Sequence, residues 1–91
     1  MPTLHLLIKG KVQGVFYRAT AKKVADKLNI TGWVKNTEDG NVEALVTATQ
    51  EQLNEFIAWC KLGPEKANVV DVIVTKENET AFKGFEVIRG R

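Results

Sequence analysis

Sulfur and imidazole are almost missing from this chain: Cys60 is its single cysteine and His5 its single histidine. One cysteine cannot form an internal disulfide. Two such ligands cannot build a zinc, haem or iron–sulfur site, so none of these is expected. Long hydrophobic runs are missing too. Residues 4–8 form a stretch far too short to span a membrane, and no basic segment precedes it as in a secretory leader. The expectation is a soluble, cytoplasmic protein with no membrane contact. Repeats, low-complexity tracts and linkers are absent as well, so the 91 residues are expected to form one domain, 1–91.

What remains is an ordinary globular mixture, 44% hydrophobic and 26% charged. A chain of this size buries only about 60–65% of its unfolded surface, so without staples its core has to pack efficiently. The net charge of +2 is too small to indicate nucleic acid by itself. Its distribution is uneven. Residues 1–37 carry seven basic side chains against Asp26 alone, whereas 38–91 carry six basic and ten acidic ones. The basic half raises the local concentration of a small anion. Lysines on a solvated helix face give the same count.

Periodicity supplies the elements. Residues 3–9 predict a strand with Leu4, Leu6 and Ile8 on one face, ended at Gly10. Tyr17, Ala21, Val24, Ala25 and Leu28 recur at helical spacing and predict a helix over 17–29, with Gly32 breaking the chain after it. Short alternating strands follow over 33–37 and 42–48, joined by the hairpin turn Glu38-Asp39-Gly40-Asn41. Leu53, Phe56, Ile57 and Cys60 mark a second helix closed by Gly63-Pro64. A fourth strand over 69–75 alternates Val70, Val72 and Val74 with Asp71, Ile73 and Thr75, and residues 82–88 add a short C-terminal strand. The order β-α-β-β-α-β predicts the α+β ferredoxin-like split sandwich, an antiparallel sheet with two helices on one face. That fold hosts many activities, so function has to come from the sites.

Two segments depart from what the fold needs. In Gly10-Lys11-Val12-Gln13-Gly14-Val15-Phe16-Tyr17-Arg18, Gly14 lets successive N–H groups converge on one point. The start of the helix adds its unpaired N–H groups and positive dipole end there. Arg18 in that first turn opposes the dipole unless an anion lies between, and its planar fork suits phosphate. Helical geometry puts Arg18 at the edge of the apolar stripe, where a charge needs a partner that no nearby acid supplies. A plain glycine-bearing connector with a surface arginine is the competing account of the same residues. In Gly32-Trp33-Val34-Lys35-Asn36, an asparagine shares its strand face with Val34, although Asn is depleted in strands. It either caps the hairpin turn or uses its paired donor and acceptor to hold a water in a chosen direction.

His5 is excluded from this chemistry. It lies five residues before Gly10 on one strand, roughly 16 Å away at about 3.3 Å per residue. Cys60 falls on the buried stripe of the second helix and reads as core. Trp33 and Trp59 read as packing residues.

The run from Gly10 to Arg18 resembles, position by position, the Gly-x-Val-Gln-Gly-Val-x-Phe/Tyr-Arg signature of the acylphosphatases. Gly32-Trp33-Val34-Lys35-Asn36 followed by Gly40-x-Val42 is similar to that family's second signature at the right spacing, and the resemblance covers the whole chain. It departs at Ala48 and Ala44, where the family commonly has glycine. The resemblance implies hydrolysis of acyl phosphates to a carboxylate and inorganic phosphate. It places the phosphoryl group on the backbone amides of Gln13, Gly14, Val15, Phe16, Tyr17 and Arg18 and on the Arg18 guanidinium, with Asn36 orienting the attacking water. Catalysis would then rest on Arg18 and Asn36, with inorganic phosphate or sulfate as competing anions, in a monomer with no metal or cofactor. The alternative is a non-catalytic phosphate- or anion-binding domain of the same fold, for which an oriented water has no use. An RNA-binding module of this topology needs aromatics on the first and third strands, and residues 4–9 and 42–48 contain none, so no nucleic acid is expected.

Overall fold

The computed structural model describes residues 1–89, so the last two positions of the expected 1–91 domain lie outside the described residues. The elements are β1 (Thr3–Lys11), α1 (Tyr17–Lys27), β2 (Thr31–Asn36), β3 (Val42–Thr47), α2 (Gln50–Leu62), β4 (Asn68–Glu77) and β5 (Phe85–Ile88). They form one five-stranded sheet in the order β4-β1-β3-β2-β5. β1 lies between β3 and β4 and pairs antiparallel with both, and β2 pairs antiparallel with β3. This is the expected ferredoxin-like sandwich, with one departure in direction. β5 runs parallel to β2, with Gly32 opposite Phe85 and Lys35 opposite Ile88.

Strand alternation decides which face the helices cover. Leu4, Leu6 and Ile8 of β1, Val42, Ala44 and Val46 of β3, and Val34 of β2 are buried together with Tyr17, Ala21 and Ala25 of α1 and Leu53, Phe56 and Cys60 of α2. Full burial of each large aliphatic side chain among these contributes about 1.5–3 kcal/mol. Ala44 and Ala48, the departures from the family pattern, are buried in this same core. The opposite face carries His5, whose Nε2 lies 2.7 Å from Glu43 Oε2, with Lys35 Nζ 3.5 Å from the other oxygen of Glu43. His5 therefore points away from the helices.

Several features differ from the sequence reading: β1 runs past Gly10 to Lys11, β4 extends over Asn68–Glu77, and β5 begins only at Phe85. Gly32 does not break the chain but lies inside β2, where an added Cβ would sit 1.8 Å from the Leu45 carbonyl oxygen. It is a site of close backbone approach. In β4 the alternation fails at Val70, which is 75% exposed. Pairing with β1 shifts register between Lys9 and Gly10, so Val69 and Val72 pack against the core instead. The helix α1 stops at Lys27, and Asn29 takes a left-handed φ of 59° before β2 begins.

The C-terminus of α2 explains one contact that reaches the site. Gly63 N–H donates to the Trp59 carbonyl at 2.7 Å. The next helical donor would be residue 64, which is proline and has no N–H. The Cys60 carbonyl is instead satisfied by the Tyr17 hydroxyl at 2.8 Å, and the Tyr17 and Trp59 rings pack 5.1 Å apart. The first residue of α1 is thus anchored to the last turn of α2.

Candidate active site

The loop between β1 and α1 is shaped by two residues with positive φ. Gly14 has φ 74° and Phe16, the N-cap of α1, has φ 64° and ψ 25°. For a bulky aromatic residue that conformation is an outlier, with a strain of about 1–3 kcal/mol of the kind found at functional sites. No side chain caps the helix and no acid occupies its first turn. The first helical bond runs from Thr20 N–H to the Phe16 carbonyl at 3.1 Å. Among the described residues, the amides of 13–19 have no backbone acceptor. A run of unpaired N–H groups around a helix N-terminus attracts an anion.

Side chains divide between holding this loop and facing the cleft. Val15 and Tyr17 are buried in the core. The Gln13 side-chain amide donates to the carbonyls of Thr37 and Asn41, at 2.8 Å each. Gln13 and Val15 are not among the residues that line the cleft, and Gln13 fastens the loop to the β2–β3 turn. That turn is closed by Thr37 N–H to the Asn41 carbonyl at 2.9 Å and Asn41 N–H to Thr37 Oγ1 at 3.0 Å. The Thr37 hydroxyl also donates to Asp39, which holds that carboxyl below its ordinary range.

The cleft has a volume of about 410 Å³. Gly14, Phe16, Tyr17 and Arg18 line it from the loop and α1, Asn36 from the end of β2, and Val87 and Arg89 from β5 and the residue after it. Arg18 and Asn36, separated in sequence, meet on this one cavity. Asn36 is there because it shares the helix-covered face with Val34 and stands opposite Val42. Arg18 is half-buried, and its partner is no acid: Nη1 donates to the Ile88 carbonyl at 3.1 Å. One donor pins the guanidinium, and among the described residues the rest of its five-donor fork has no hydrogen-bond partner.

The sequence reading missed the Ile88 carbonyl and Arg89. Their place follows from the parallel register, in which Lys35 stands opposite Ile88, so that the next residue, Arg89, reaches the cavity that Asn36 lines. A short C-terminal strand was visible in the sequence, but nothing local states its direction. Among the described residues no group of three or more His, Cys, Asp or Glu side chains could hold a metal ion. No described helix is long and apolar enough to cross a membrane. Cys60 is buried in the core and does not line the cleft, and burial pushes its thiol up to about 12.

Fold and cleft together define a ferredoxin-like α+β domain whose cavity is lined by two arginines, an asparagine and part of a loop whose amides have no backbone acceptor among the described residues. The chain belongs to the acylphosphatase family: the Acylphosphatase family model matches residues 4–87. It is 45% identical over 86 residues to an acylphosphatase of Thiobacillus denitrificans, covering 94% of this chain and 96% of that one. It is 41% identical over 90 residues to an acylphosphatase of Methylococcus capsulatus, covering 98% of each. The crystal structure of acylphosphatase from Bacillus subtilis superimposes with a TM-score of 0.94 at 32% identity, over 98% of this chain and 100% of that one. Membership of this family makes the chain an enzyme of the acylphosphatase type, acting on acyl phosphates.

Proposed function

We propose that this cleft holds the phosphoryl group of an acyl phosphate and hydrolyses it to a carboxylate and inorganic phosphate. The observation that carries this is the run of unpaired amides at 13–19, opening the helix that bears Arg18 on the cavity shared with Asn36. The amides of Gln13, Gly14, Val15, Phe16, Tyr17 and Arg18 receive the phosphoryl oxygens. The Arg18 fork, steadied by the Ile88 carbonyl, meets the charge that builds on them in the transition state.

Asn36 directs the water. Its carboxamide oxygen accepts one water proton while the nitrogen donates to the phosphoryl group or to the water itself. The leaving group departs as a carboxylate, so no general acid is needed. The water's proton passes to a phosphate oxygen of the substrate, and positioning with charge stabilisation lowers the barrier. No step in this sequence calls on a metal or a cofactor. Inorganic phosphate and sulfate compete for the same amides. The substrate is a small molecule, and the enzyme acts as a cytoplasmic monomer, within one domain over 1–91.

Replacing Asn36 tests this. Asn36→Ala should lower kcat severely while phosphate affinity stays near that of the parent, because the anion contacts come from the loop and Arg18. Asn36→Asp discriminates further. A general base would raise the rate and add an ionisation to the pH profile. An aimed water gives a variant no faster than alanine that also binds phosphate more weakly, since the new carboxylate faces an anion. An aspartate variant as fast as the parent would overturn the mechanism, and phosphate binding without turnover in the parent would favour a non-catalytic anion domain.

A further inference from the structure

The cavity is larger than a phosphoryl group requires, with room for about a dozen waters at about 30 Å³ each. Its deep end is made by buried residues, Val12 and Tyr17, and its outer end by exposed ones, Gly14, Phe16, Ala19 and Arg89. Any acyl group attached to a phosphoryl seated on the loop amides has to leave through that outer end. Of the rim residues, only Phe16 presents a large apolar surface. Its side chain is 79% exposed while still lining the cavity.

Neither the backbone nor the core accounts for an aromatic residue at this position. Its left-handed φ of 64° is one that Asn or Gly adopts with less strain. Its exposure shows that it contributes little to the packed interior. Val12 and Val87 also line the cavity and give it an apolar wall. A ring held by a fixed backbone at the mouth of such a wall offers a stacking or edge contact to a flat apolar group.

We propose that the Phe16 side chain contacts the acyl part of the substrate and selects for aromatic acyl phosphates over small aliphatic ones. This rests on the phosphoryl seat proposed above and adds the identity of the group outside it. Arg18 and Asn36 act on the phosphoryl group and the water, so they are indifferent to the acyl group. Phe16 is the side chain that tells one acyl group from another.

The test compares kcat/KM for benzoyl phosphate and acetyl phosphate in the parent, Phe16→Asn and Phe16→Tyr. Asparagine tolerates the left-handed backbone, and tyrosine keeps the ring. The benzoyl-to-acetyl ratio should fall about tenfold in Phe16→Asn, the low end for loss of an apolar contact, and stay near the parent value in Phe16→Tyr. A second measurement needs no turnover: competition by phenylphosphonate relative to inorganic phosphate should lose its phenyl preference in Phe16→Asn by a similar factor. A parent active on both substrates whose ratios are unmoved by Phe16→Asn overturns this inference and leaves the phosphoryl seat intact. A parent that turns over neither compound removes the proposed function and this inference with it.

Discussion

Gln13 is tied to Thr37: its side-chain amide donates to the Thr37 carbonyl at 2.8 Å and to the Asn41 carbonyl at the same distance. This fork joins the amide loop to the turn that follows Asn36. The two signature segments thus meet through a side chain that does not itself line the cleft.

Gln13→Glu replaces both donors with a carboxylate facing two carbonyls. Steady-state kinetics should show kcat/KM reduced about ten- to a hundredfold, since small misplacements of reacting groups cost that much. Circular dichroism should stay that of the parent fold. Parental kinetics in this variant would mean that loop and turn are positioned independently.

Arg18→Ala should lose about 10² to 10³ in kcat, or about 3–4 kcal/mol, the cost of removing a fixed transition-state donor. Arg18→Lys should recover little, because lysine keeps the charge without the fork. The sequence placed Arg18 at the edge of the apolar stripe with no nearby acid to partner it, so its loss would cost the fold little. The bond from Nη1 to the Ile88 carbonyl changes that expectation, and thermal unfolding of Arg18→Ala should show a loss of about 1 kcal/mol. Near-parental activity in the lysine variant contradicts the role given to the guanidinium.

Gly14 separates conformation from crowding. Nothing lies within 4 Å of a Cβ added there, so the penalty for any side chain comes from φ 74° alone. That penalty is about 1–2 kcal/mol for ordinary residues and less for asparagine. Phosphate titration calorimetry should rank the parent first, Gly14→Asn next and Gly14→Val last, weakened about tenfold or more. Tight phosphate binding by the valine variant would show that the loop is not the cradle.

Alkaline pH should unfold this chain early, because two neighbouring acids are held neutral. Burial raises the Cys60 thiol from 9.0 to about 12, and burial followed by the adjacent Cys60 raises the Tyr17 phenol further above its ordinary value. In the unfolded chain both ionise sooner. Stability is therefore fully present below about pH 9 and falls as pH rises toward 12, by up to about 1.4 kcal/mol per pH unit for each group titrating only in the unfolded state. Urea midpoints measured from pH 8 to 11 should decline, and less steeply in Cys60→Ala. A flat profile would place the thiol in contact with water.

Much of the site was legible in the sequence because its physical requirements are local. Gly14 before a helix start, an arginine where the dipole disfavours one, and an asparagine on a buried strand face are each visible within a few residues. Phe16 as a left-handed N-cap was not, since nothing in a Gly-Val-Phe-Tyr run states which residue takes the positive φ. The tie made by the Gln13 side chain was not legible either, because its acceptors, the Thr37 and Asn41 carbonyls, become its neighbours only when β1 and the β2–β3 turn come together.

The sequence by itself determined the order of elements, the buried faces of the two helices and of β1, β2 and β3, and the two segments that bear the family's signatures. These follow from side-chain periodicity and backbone permission, which act over single turns and strands. Tertiary structure alone decided three things: the parallel pairing of β5 with β2, the bulge that turns Val70 outward, and the partner of Arg18. Each is a hydrogen-bond match between segments far apart in the chain, and a carbonyl such as that of Ile88 has the same chemistry at every position. Only the folded sheet selects which one faces the guanidinium.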